Sequence, residues 1–515
     1  MAKLPVKGSD LSLGLFASVA FSLLAVFLPV VLGGCGRSPW PTDDIRGIVT
    51  DVEGRPLAGA RVRWQAAPQH AFTDRTGTFH LAPRPGKTRK LTAWMPGYFI
   101  GGVSVDAEAV ALRLRPLPQE DWDGYEWVVP TPDAGQAERC GNCHGTIHAE
   151  WAASAHARSV TNRRFRNLYD GTDWHGRPDR GWNLLRDHPH GAGVCAACHA
   201  PTLPVEHPAF EDIRQADGVH ALGVHCDFCH KIADARLDRL GLEHGRYAYD
   251  LLRPRQGQVF FGPLDDVDRD EDAHSPLYKQ SRYCAACHEG TVFGVPVYTT
   301  YSEWLTSPAR RAGVQCQDCH MKPTGTLTNI APGHGGIERD PLTLASHATP
   351  GATPDMLRRA IRLKTDLTVE GEAAVLHVTV SAQEVGHKVP TGFVDRRLVL
   401  TVSAVDAQGE AVREVSGPRI PPDAGFGSDQ PGLLFAKVLE DYDGRSPVPF
   451  WMPCRVREDT RLEPGKVRTD HWVFPREATA EVRVRLEYHR FPPPVVQEKH
   501  WPEDRILIAE TVLKP

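Results

Sequence analysis

Gly223-Val224-His225-Cys226-Asp227-Phe228-Cys229-His230-Lys231 is the stretch on which the reading of this 515-residue chain turns. It holds two cysteines three positions apart and a histidine directly after the second. The pattern returns at Cys140-Gly141-Asn142-Cys143-His144, Cys195-Ala196-Ala197-Cys198-His199, Cys284-Ala285-Ala286-Cys287-His288 and Cys316-Gln317-Asp318-Cys319-His320. Ten of the 12 cysteines therefore sit in five copies of C-x-x-C-H. At this chain's Cys and His content, one such pattern is expected by chance roughly 0.01 times. A zinc ribbon uses paired cysteines without a histidine at that fixed offset, and a dithiol redox pair would occur once. The spacing suits c-type haem instead. Two thiols three residues apart reach the two vinyl groups on one porphyrin edge, and the adjoining histidine turns under the ring to bind iron. The expectation is five covalently bound haem c, with His144, His199, His230, His288 and His320 as proximal ligands and the ten cysteines as thioethers.

Each iron has a second axial position. Of 24 histidines, five are proximal, and past the N-terminal leader the only methionines are Met95, Met321, Met356 and Met452. Histidine on both sides is thus the expected ligation. A distal ligand must approach from the face opposite the proximal one. On a helix His148 shares a face with His144, four residues earlier, so it could serve only a neighbouring haem. His225 lies at the edge of its own haem and could likewise reach only another, closely stacked one.

Residues 137–395 resemble the cytochrome c554-type multihaem cytochromes. The likeness rests on Trp151-Ala152-Ala153-Ser154-Ala155-His156-Ala157, on the Gly223–Lys231 stretch, and on Tyr301-Ser302-Glu303-Trp304-Leu305-Thr306-Ser307-Pro308. It rests also on Cys316–Met321, on Ser346-His347-Ala348-Thr349-Pro350-Gly351, and on Gly386-His387-Lys388-Val389-Pro390-Thr391-Gly392. At 348 and 349 the chain departs from the family's usual residues. The resemblance, with the geometric filter above, implies a distal set of His156, His225, His274, His347 and His387. His148, His207, His220, His244 and His334 are the alternates.

The N-terminus reads as an address. Lys3 and Lys7 precede an apolar run that ends at Leu32-Gly33-Gly34-Cys35, which resembles a bacterial lipobox. The expectation is a signal peptide over 1–34 and lipid on Cys35, which would hold the chain on a membrane surface, in the periplasm or at the cell surface. An uncleaved membrane anchor is the competing reading. Net charge is −5, so nothing in the balance points to nucleic acid. Cys454 stands outside every motif and reads as a small buried hydrophobe.

Residues 45–116 alternate in strand fashion around Asp/Gly turns and read as a small β-sandwich that resembles the carboxypeptidase regulatory-like fold. Residues 117–135 read as a linker. Residues 136–352 hold all five motifs, with short helices such as Thr146–Arg158 and little regular secondary structure, because macrocycles would replace side chains as core. Residues 353–515 turn β-rich again. The fold class is therefore multidomain: a small β-sandwich, a pentahaem cytochrome domain low in regular structure, and a C-terminal β-sandwich that contributes His387 as a haem ligand. The expected activity is electron transfer between redox protein partners outside the cytoplasm, with no catalytic residue assigned. The alternative is a multihaem reductase or oxidase of a small nitrogen or sulfur compound at one open-site haem. A larger haem assembly is a third possibility.

Overall fold

Alternating burial along Ala109–Leu114 puts Val110, Leu112 and Leu114 inward and their neighbours outward, the period-2 pattern of a half-buried strand. The structure, a computed structural model, describes residues 44–83, 89–105, 109–190, 193–204, 211–292, 294–425 and 427–515. The leader, Cys35 and His207 lie outside them. In the N-terminal part, Ile45–Asp51 pairs in parallel with Ala109–Leu114 and antiparallel with Thr78–Leu81. A second sheet of four strands runs from His70–Phe72 through Arg61–Trp64 and Lys90–Trp94 to Gly101–Ser104. The two share one apolar cluster, including Ile45, Val49, Trp64, Phe79 and Leu112. The expected turn at Asp74–Gly77 is present: the Asp74 carboxylate accepts the amides of Thr76 and Thr78 at 2.8 and 2.9 Å.

The middle part is built from short helices. Four of the five motifs begin or end on a helix of four to seven residues: Cys140–Cys143, Cys226–Cys229, Arg282–His288 and Cys316–His320. The second motif spans a 3-10 turn, Gly193–Cys195, and the helix Ala196–His199. The helix expected over Thr146–Arg158 spans Gly145–Ala153, because Ser154 turns to an extended conformation.

The C-terminal part packs a three-stranded sheet, Ile361–Glu370, Ala373–Ala382 and Val467–Pro475, against a six-stranded sheet centred on Arg397–Val405 and Glu481–His489. Leu376, Val378, Leu398, Leu400, Trp472, Phe474 and Leu486 fill the space between them. The strand Gly432–Glu440 is buried at every position. One face joins this core, and the other is covered by Ile420 and Ala424.

The three parts are fastened to one another. Asp266 accepts the amide of Ala66 at 2.7 Å and pairs with Arg339 at 2.8 Å, and Asp265 pairs with Arg63 at 2.5 Å. On the other side, fully buried Lys499 donates to the carbonyls of Asn167, Thr172 and Trp182 at 2.6–3.1 Å. Residues 117–135 are held too: the Tyr125 hydroxyl and the Val128 amide both donate to Asp227, at 2.9 and 2.8 Å. Cys454 is buried among Val295, Val394 and Leu439.

Candidate haem-binding site

Each C-x-x-C-H helix is too short to be stable by itself, and four of the five are held by what their histidines touch. His144, His199, His230 and His320 donate Nδ1–H to the carbonyls of Ile330, Ser159, Phe261 and Pro350, at 2.7, 3.0, 2.5 and 2.8 Å. A carbonyl can only accept, so the proton sits on Nδ1. Nε2 keeps its lone pair, the arrangement that orients a metal-ligating histidine. Desolvation lowers the pKa of His144 and His199, and takes His230 down to about 4 and His288 to about 3. They are neutral, as a ligand must be.

The structure brings distal candidates to two of the proximal rings. His156 and His288 have ring centroids 6.3 Å apart, and His320 and His387 also lie 6.3 Å apart with ring planes 19° from parallel. An ion held by imidazole nitrogens on both sides at about 2 Å, with each ring centre about 1 Å beyond, gives a spacing of about 6 Å. The donor set therefore fits a bis-histidine haem at both places. His347 is buried within electrostatic reach of His144 and His230, and its amide donates to Glu150 at 2.7 Å.

His225 is 0% exposed, and neither ring nitrogen has a hydrogen-bond partner among the described residues. Burial drives its pKa down to about 4. Trp127 packs edge-on to the ring at 5.9 Å. His274 meets Trp94 of the N-terminal part edge-on at 4.5 Å. Of the alternates, His334 is exposed, His220 faces the Thr202 hydroxyl at 3.2 Å, and the His148 Nε2 lacks a partner among the described residues.

The sequence blocks meet in space. Trp151 Nε1 donates to Val224 O at 2.9 Å, and Val224 N donates to His156 O at 3.1 Å. Gly223, at φ +70°, packs so tightly there that a Cβ would lie 2.4 Å from His156 O. The W-x-x-S-x-H-A and G-V-x-C segments are thus two halves of one contact.

The motif thiols also touch in pairs. The Cys140 thiol lies within hydrogen-bonding reach of Cys226, Cys198 of Cys287, and Cys284 of Cys316. Tyr283 donates to Cys229 O at 3.0 Å, which joins the third motif to the helix of the fourth. The fourth motif therefore borders the second, third and fifth, and the first borders the third.

Residues that sequence reasoning passed over complete the site. Asp227 and Lys231 form a fully buried ion pair, and the Lys231 ammonium lies 4.1 Å from the Phe260 ring centre. Their i, i+4 spacing inside the third motif was the available signal. Glu303 accepts from Thr299 Oγ1 and Arg461 at 2.6 and 2.7 Å on one oxygen, and from Lys388 N and Thr391 Oγ1 at 3.1 and 2.8 Å on the other.

Comparison with known proteins follows the same lines. Residues 139–231, which span the first three motifs, match the family model for cytochrome c554 and c-prime. Among solved structures, a penta-heme cytochrome c552 from Thermochromatium tepidum has a similar fold, at 24% identity and a TM-score of 0.53, over 73% of this chain and 97% of that one. No curated protein matches the chain. The family match supports a c-type cytochrome over the first three motifs, and the solved structure shares the fold.

Proposed function

We propose that this chain carries five haem c groups and transfers electrons between redox partners outside the cytoplasm, tethered to a membrane surface through lipid on Cys35. The observation that carries the reading is the set of five C-x-x-C-H motifs, with half-buried histidines facing two of the proximal rings at 6.3 Å. Bound haem supplies reversible one-electron chemistry at iron. The chain's own residues do the rest. The ten motif cysteines attach the groups, and His144, His199, His230, His288 and His320 bind iron from one side. His156 serves the fourth site and His387 the fifth. His225, His274 and His347 are assigned to the remaining three. His225 has two unpaired nitrogens in a dry pocket, which favours a ligand over a structural histidine.

The thiol contacts set which sites adjoin, with the fourth as the shared neighbour of three others. Sites in such contact suit relay better than isolated chemistry. The test is low-temperature EPR of oxidised, purified protein, with CO or nitrite added, alongside a haem-to-protein ratio from the pyridine haemochrome spectrum. A ratio of five, with low-spin signals that neither ligand alters, supports the carrier. A high-spin signal that responds to ligand would replace the carrier with the reductase or oxidase.

A further inference from the structure

Glu303 stands on the helix Thr300–Thr306 in the cytochrome part, and its carboxylate is buried. Arg461, also buried, comes from the C-terminal part and places a guanidinium nitrogen 2.7 Å from one carboxylate oxygen. The other oxygen accepts the Lys388 amide at 3.1 Å and the Thr391 hydroxyl at 2.8 Å. Both of those donors lie in the loop just after His387, one and four residues on. The carbonyl of Lys388 then accepts His387 Nδ1–H at 2.9 Å. One peptide is thus gripped at its nitrogen by Glu303, while the carbonyl of the same residue orients the imidazole. The approach is close: a Cβ on Gly386 would sit 3.2 Å from Trp304 on that helix and 3.3 Å from Ala309 on the next, Pro308–Arg311.

We infer that Glu303 is the positioning residue for His387, aligning the Nε2 of a histidine from one domain onto the fifth site in another. The inference rests on the reading of His387 as an axial ligand. An alternative in which Glu303 only glues the domains would need none of its contacts to fall beside the ligand, yet two of its four do. A carboxylate is suited to the task because it accepts on every side. A glutamine of the same shape must turn amide hydrogens toward either Arg461 or the Lys388 amide, and both of those are donors.

The test uses the full haem-loaded chain as wild type, Glu303→Gln, Thr391→Val and His387→Gly, read by EPR of the oxidised form and CO uptake of the reduced form. His387→Gly is expected to open one site, giving a high-spin signal and one equivalent of CO. Glu303→Gln is expected to open the same site partially, with the open fraction raised about tenfold or more over wild type, the scale of one lost charged hydrogen bond. Thr391→Val removes a single bond and should give a smaller rise, and it serves if Glu303→Gln does not fold. If the Glu303 and Thr391 variants lose stability but keep wild-type EPR and CO behaviour while His387→Gly opens a site, Glu303 is only structural and the inference fails. If His387→Gly opens nothing, the ligand assignment itself is wrong and the inference falls with it.

Discussion

A histidine sealed from water without a hydrogen bond is costly, because a polar ring loses its solvent partners and gains none. His225 is in that position, and the linker residue Trp127 closes the pocket over it. A role as metal ligand, as proposed, would offset the cost; a packing role would not. His225→Phe should still fold, since the ring shape is kept and no protein hydrogen bond is lost, with the bond to iron as its cost. The same variant should show one new high-spin haem in its EPR spectrum. A wild-type spectrum would remove His225 from the ligand set. The opposite holds for Lys231, whose ammonium neutralises buried Asp227. Lys231→Met would strand that carboxylate and cost about 3 kcal/mol or more in a denaturant titration.

At the scale of elements, short helices here are held by their attachments. The helix Thr300–Thr306 is seven residues long and carries Glu303 against the loop after Ala373–Ala382. The clamp continues from Arg461 to Asp459, whose two oxygens accept from the guanidinium at 2.8 Å each and from Lys388 Nζ at 3.1 Å. Burial pushes the Asp459 carboxyl up, and the Arg461 and Lys388 cations outweigh it, holding the pKa at about 2. A folded-state value below the unfolded 3.8 means the stabilisation is complete above about pH 4 and is lost as pH falls towards 2. Urea midpoints of wild type and Asp459→Asn should therefore differ at pH 5 and converge towards about pH 2. A difference that stays constant across that window would show that the carboxylate charge is not what holds the loop. The period-2 patterns at 374–380, 397–402 and 482–488 were legible as strands because one face of each is apolar. The helix after the first motif was legible only in part, since Ser154 leaves helical geometry to place His156, a tertiary demand that no local propensity encodes.

For the whole molecule, the acidic strap at 265–272 ties the N-terminal sheets to the cytochrome part. Asp266 is 1% exposed and serves Ala66 and Arg339 together. Asp266→Ala would leave Arg339 buried without its partner, at a cost of about 3 kcal/mol. Hydrogen exchange should then quicken at the amides of Ala66 and Ile100, which bridge to the strap. Unchanged exchange there would mean that the module is held by other contacts. A proximal assignment can be written from the chain alone, because two thioether bonds and one iron bond would require residues at fixed short spacing, and covalent spacing survives any fold. The distal half was not, because an axial partner can come from any distance along the chain. His156 reaches a histidine 132 positions away and His387 one 67 positions back. That His156 lies against His288 and His387 against His320, and that Glu303 and Arg461 grip the loop carrying His387, follows from tertiary packing, where contact depends on how surfaces fit and not on how residues are spaced.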